Sequence, residues 1–141
     1  MNEKVLCVPE HALNEFSYPF AEGFCVWFNW MDRKIAEINY GFKQIIPYIV
    51  LRDTTGKILF YQRQGNEKRL ESKWSIGIGG HINYEDFKQC KANHKTLHEM
   101  YMEVLTKGIT RELKEEVGIE LKDIEPLKFK GIINLGDSKV D

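Results

Sequence analysis

The chain is 141 residues long, 43% apolar and 29% charged, with a formal net charge of −1. That size and mix suit one soluble domain around a single core, and the near-neutral balance excludes a global field that would gather a nucleic-acid polymer or an anionic membrane. Cys7, Cys25 and Cys90 are odd in number and far apart, so reduced thiols of a cytoplasmic protein are expected, and no apolar run is long enough for a signal segment or a membrane span.

In chain order, residues 4–8 read as a short strand. Residues 10–44 gather Phe16, Tyr18, Phe20, Phe24, Trp27, Phe28 and Trp30 without a clean period. With no interleaved basic residues this is a packing layer or a dimer surface rather than a base-stacking platform, so a homodimer stays open. Ile45 to Arg52 is apolar and β-branched, Asp53-Thr54-Thr55-Gly56 is a turn signal, and Lys57 to Gln64 resumes with alternate apolar positions. A hairpin is predicted. Residues 65–72 are a polar loop, followed by a strand, Trp74 to Ile78, that ends at Gly79-Gly80. A glycine pair there is a bulge or tight turn, or a place where backbone carbonyls meet a ligand at low steric cost.

The stretch that follows reads mostly as helix, with Leu97, Tyr101, Val104 and Leu105 on one side. His94 and His98 lie four apart, a spacing that suits zinc, but no third ligand stands at a fixed interval, and ordinary exposed histidines are the plainer reading. Residues 111–119, Arg-Glu-Leu-Lys-Glu-Glu-Val-Gly-Ile, put Glu112, Glu115 and Glu116 on one face of a helical turn, where like charges repel by a few tenths of a kcal/mol per pair. Acidic runs often do no more than decorate a solvated helix. Here Leu113 and Val117 supply an apolar stripe, and Gly118 is a natural terminator before Ile119 restarts an apolar run. A short strand or loop over Ile119 to Leu121 and a strand from Leu127 to Leu135 complete the prediction.

Residues 111–119 match every specified position in the second half of the Nudix box, and the chain therefore resembles the Nudix hydrolase superfamily (MutT-like phosphohydrolases). Gly79-Gly80-His81-Ile82 looks like the opening of that box. Gly80 lies 31 residues before Arg111, where the family pattern has some fourteen, so an insertion of 17 residues is implied. Keeping the spacing after Gly80 makes Asp86 the box acid; keeping the spacing before Arg111 makes it Glu103. In one straight helix, residues eight apart are separated by roughly 12 Å of rise and face different ways. Glu103 would need a bend, for which Gly108 is the candidate. Glu103 is favoured, with Asp86 as the alternative.

The resemblance implies an α/β (α+β) fold, a Nudix-like α/β/α sandwich with a mixed sheet. It covers residues from about 45 onward within a single domain, 1–141. Residues 1–44 would be an extension packed on or beside the core, and residues 83–106 the insertion. Family members usually continue further past the box than Asp141, so a fragment, or a sheet completed by another chain, is expected.

The resemblance also implies metal-dependent hydrolysis of a diphosphate linkage in a nucleoside diphosphate linked to another moiety, a small-molecule substrate. Hard cations such as Mg2+ or Mn2+ favour oxygen ligands. Glu115, Glu116 and the Gly80 carbonyl are the implied ligands, with Glu112 as a third carboxylate or as the group that activates water. Arg111 would hold the box acid. Arg63 and Arg69 would touch phosphates, or lie on solvated surface. A nucleotide sensor without catalysis and an isoprenoid-diphosphate isomerase are the rival readings; the isomerases use a cysteine motif that is absent here.

Overall fold

The computed structural model describes residues 2–15, 22–63 and 72–133. Phe16, Tyr18, Phe20 and Arg69 lie outside the described residues, as does most of the expected 65–72 loop. Strand β1, Lys4–Pro9, is buried along five of its six residues. It leads into the short helix α1, Glu10–Glu15, and a 3₁₀ turn, Glu22–Trp27. Strand β2, Asn29–Asp32, helix α2, Arg33–Ala36, and strand β3, Phe42–Gln44, follow. Both strands pair antiparallel with β1, giving the order β2-β1-β3.

Strand β4, Tyr48–Val50, opens the expected hairpin. Asp53 Oδ1 accepts from the Thr55 and Lys57 amides at 2.8 and 2.9 Å, an Asx-type arrangement that turns the chain, and Leu59 N donates back to the Leu51 carbonyl at 2.9 Å. Strand β5, Tyr61–Gln62, pairs with β6, Trp74–Ser75, and β4 pairs with β7, Gly77–Gly79. The expected strand over Trp74 to Ile78 is thus broken at Ile76, where Ser75 Oγ donates to the Gly77 carbonyl at 2.9 Å. Strand pairings among the described residues are antiparallel, with no parallel pairing of a mixed sheet among them.

Helix α3, Tyr84–Lys88, and helix α4, Leu97–Val117, form the helical layer. Thr96 caps α4 by accepting from the Glu99 amide at 3.1 Å, which satisfies one of the orphan N–H groups of the first turn. Gly118 ends the helix with φ +69°, its N–H donating to the Leu113 and Lys114 carbonyls, the left-handed terminus that glycine adopts without strain.

Helix α4 carries two stripes. Tyr101, Val104 and Gly108 face one buried cluster with Leu6, Val8, Phe24, Phe28 and Ile82, and Phe28 meets Tyr101 edge-on at 4.8 Å. Ile109, Leu113 and Val117 face Ile49 and Ile78 of the β4–β7 pair in a second. The helix is therefore a wedge between the N-terminal sheet and the hairpin.

Two expectations are corrected. Gly108 does not bend the helix, which runs unbroken from Leu97 to Val117; a Cβ there would come within 2.3 Å of Ile82 Cδ1 and 3.3 Å of Asp86 Oδ2, so the glycine serves close approach instead. The described part of the Leu127 to Leu135 stretch is no strand: residues 127–133 are exposed, Leu127, Phe129 and Ile133 among them, and no described strand lies beside them to complete a ladder.

The substitution Gly108→Ala tests the close approach. In an exposed helix the change would stabilise by about 1 kcal/mol; here overpacking against Ile82 and Asp86, at about 1–3 kcal/mol, should outweigh that gain. A lowered denaturation midpoint is expected, and a raised one would refute the account.

Candidate active site

The tight Ile82 contact brings the loop after β7 against the second half of α4. Asp86, in the first turn of α3, is only 1% exposed, yet its carboxylate is fully engaged. Oδ2 accepts from the Asn83 amide at 2.8 Å and from Arg111 Nη2 at 3.0 Å, while Oδ1 accepts from Arg111 Nε at 3.0 Å. This is the bidentate fork that guanidinium and carboxylate planes favour.

Arg111 spends its other donors on the same neighbourhood. Nη2 donates to the His81 carbonyl at 2.7 Å, and Nη1 to Glu112 Oε1 at 2.5 Å and Glu115 Oε2 at 3.4 Å. Its guanidinium is held above its ordinary pKa, first by the Asp86 hydrogen bond, with desolvation opposing and Glu112 adding to the rise.

The expectation that Glu103 partners Arg111 is corrected. Glu103 sits two turns earlier on α4, where it accepts from the Lys91 amide and lies 2.6 Å from His94 Nε2. With no bend at Gly108, eight residues of straight helix keep it from Arg111. Asp86, six residues after Gly80, holds the position instead. The signal was available in the Asn83-to-Asp86 spacing, which suits a helix N-terminus whose third residue reaches back to the capping backbone N–H.

Glu112 continues the buried stripe of Tyr101, Val104 and Gly108, and is itself only 7% exposed. A Cβ on Gly80 would lie 2.2 Å from its carboxyl carbon, so the bare backbone of the glycine loop forms a cradle around this acid. Burial raises the Glu112 carboxyl pKa; the Arg111 hydrogen bond and charge lower it, and repulsion from Glu115 and Glu116 adds to the rise. Glu115 and Glu116 are exposed on the same turn.

The oxygen donors here suit a hard divalent cation, and the Gly80 cradle leaves backbone close to Glu112. Among the described residues, however, no three His, Cys, Asp or Glu side chains converge closely enough to hold a metal ion, so the fit is one of donor chemistry. The same holds for His94 and His98, where no third ligand joins them. Arg63 lies at the base of the hairpin, its amide donating to the Lys73 carbonyl at 2.9 Å, and its side chain contacts none of these acids. Cys90 Sγ donates to the Asp86 carbonyl at 3.3 Å, and burial pushes its pKa up.

No protein-family model matches the chain. Protein YmaB of Bacillus subtilis (strain 168) is 34% identical over 112 residues, which are 78% of this chain and 49% of that protein. The chain thus spans about half the length of this curated relative. Among solved structures, Tm1382, described as a candidate Nudix hydrolase, superimposes with a TM-score of 0.71 over 98% of this chain and 69% of its own, at 27% identity. The chain has a mixed α+β fold similar to that of a Nudix hydrolase. Its likeness supports a hydrolase of Nudix type in general terms. Among the described residues no helix is long and apolar enough to cross a membrane.

A pair of truncations separates the two acids. Asp86→Ala removes the buried bidentate partner of Arg111, leaving the guanidinium to Glu112, Glu115 and the His81 carbonyl, and should destabilise by about 3 kcal/mol. Glu103→Ala, which removes a half-buried contact with His94 and the Lys91 amide, should cost less, about 1 kcal/mol. Chemical denaturation of both variants measures this, and equal losses would contradict the assignment of Asp86.

Proposed function

We infer that the chain is a Nudix-type hydrolase that cleaves the diphosphate linkage of a nucleoside diphosphate joined to another moiety, with Mg2+ or Mn2+ as cofactor. The observation that carries this reading is Glu112, buried against the bare Gly80 backbone and gripped by Arg111, with exposed Glu115 and Glu116 on the same helical turn. A bound divalent cation supplies neutralisation of phosphate charge and a more acidic water. Glu115 and Glu116 would hold it, with the Gly80 carbonyl and Glu112 as further oxygen donors. Glu112 either completes that set or orients and deprotonates the attacking water. Arg111 is a positioning residue, since its donors fix the glycine loop through His81 and the helix acids through Glu112.

The separation of the three carboxylates favours one second reading, a nucleotide-sensing module without turnover. The isomerase reading gains no support from the thiols. Burial pushes Cys7 and Cys25 up to about 11 and also raises Cys90, whereas a reactive thiol needs a lowered pKa.

Glu116→Gln should lower Mg2+-dependent hydrolysis by about 100-fold or more with an unchanged thermal midpoint, while Cys90→Ser should keep it within about twofold. Release of phosphate-bearing products from a panel of nucleoside diphosphate derivatives, with and without chelator, gives the measurement. Undiminished turnover by the Glu116 variant would end the ligand assignment, and Mg2+-independent binding without turnover would favour the sensor.

A further inference from the structure

Helix α4 covers only one face of the β4–β7 pair. Ile49 and Ile78 point into the cluster around Leu113, so Tyr48 and Val50, the neighbours of Ile49 in β4, project from the opposite face. Ile58 and Phe60 alternate in the same way with Leu59, which turns toward Val117 and Ile119. Tyr48 is 56% and Phe60 60% exposed, with Val50 and Ile58 close behind. The residues facing Tyr48 and Val50 across the ladder are Gly79 and Gly77, so β7 raises no side chain over this surface. An apolar patch of this kind marks an interaction site, whereas single exposed residues need no explanation. The edge beside it is also open. Among the described residues β4 pairs with no strand except β7, and an unpaired edge is a template on which a further strand adds.

The chain itself carries a segment that lacks what this edge offers. Residues 127–133, Leu-Lys-Phe-Lys-Gly-Ile-Ile, are exposed, and no described strand lies beside them. Leu127 and Phe129 alternate with Lys128 and Lys130, which in an extended chain puts the apolar groups on one side and both ammonium groups on the other. Seven extended residues reach roughly 23 Å, enough to run the length of the three-residue strand β4. Within one copy the segment and the surface are both bare.

We propose that a second copy of the chain covers this surface, with residues 127–133 of each copy adding as a strand at the β4 edge of the other and Leu127 and Phe129 packing against Tyr48 and Val50. A two-fold axis uses the segment and the edge of both copies, so one closed arrangement buries all four. A partner without a free strand would cover the rings but leave the backbone groups of the edge unpaired. The net charge of −1 gives an anionic membrane no hold on the patch. Lys128 and Lys130 stay in water. The acidic turn of α4 lies across the sheet from this interface, and the proposal is independent of the function inferred for that turn.

Size exclusion with light scattering tests this on the intact chain over the micromolar range, where twice the 16.5 kDa monomer mass is expected. Phe129→Glu and Val50→Lys, both at exposed positions, should each weaken dimerisation at least tenfold with native circular dichroism. Mixed in equal amounts, the two variants should dimerise at least tenfold more tightly than either does alone, because one junction of the mixed pair is then unchanged and the other joins Glu to Lys. A monomer throughout that range overturns the proposal, and so does a dimer that tolerates either substitution or a mixture that restores nothing. If Val50→Lys disturbs the sheet, Phe129→Glu, which lies outside every helix and strand, decides the matter by itself.

Discussion

The arrangement depends on the ion pair between Asp86 and Arg111. It joins two residues 25 apart in the chain, one at the start of α3 and one near the end of α4, and buries the carboxylate almost completely. A buried pair of this kind contributes little net stability against an apolar substitute, but losing Arg111 would strand the Asp86 carboxylate in a buried site. Its physical effect is therefore on register: α4 cannot slide or rotate against the glycine loop without breaking two parallel hydrogen bonds at once. The remaining donors of the same guanidinium then set Glu112, Glu115 and the His81 carbonyl relative to that fixed point.

Packing supplies the second constraint. Two apolar stripes hold α4 from both sides, Tyr101 and Val104 toward the N-terminal sheet and Leu113 and Val117 toward Ile49 and Ile78. Two glycines bring backbone unusually close to this helix from its own sequence and from the loop: Gly108 admits Ile82, and Gly80 admits Glu112. Neither contact survives a methyl group without displacement. The excursion between Asp86 and Arg111 leaves this junction intact, because its ends are tied while its middle packs on the outside through Phe87, Cys90 and Met100.

Much of this was legible in the sequence. Strand β1, the hairpin around Asp53 and the C-terminus of α4 at Gly118 all follow from local signals: apolar runs, an Asx turn, and a left-handed glycine. The acidic turn was legible because its spacing makes no sense as packing. What failed was non-local. Glu103 seemed the better partner for Arg111 since Gly108 offered a bend, yet a glycine with a neighbour 2.3 Å from its would-be Cβ looks the same in sequence as one that breaks a helix. Leu127 to Leu135 has the composition of a strand, but a strand exists only where another strand supplies its hydrogen bonds, and no described strand does so for residues 127–133, the part of the stretch that is described. Ile76 escaped notice because a bend inside an apolar run is set by the Ser75 hydroxyl, a single side chain.

The distribution of charge around Arg111 also explains which acids are left for a ligand. Asp86 and Glu112 are desolvated; one guanidinium and the Asn83 amide satisfy Asp86, and the same guanidinium reaches Glu112 on one oxygen. Glu115 and Glu116 receive at most a long contact from it and stay in water, where mutual repulsion is weak and screened. Exposure of the two outer carboxylates to water eases the repulsion within the cluster. Those same two have the least to lose on binding a cation.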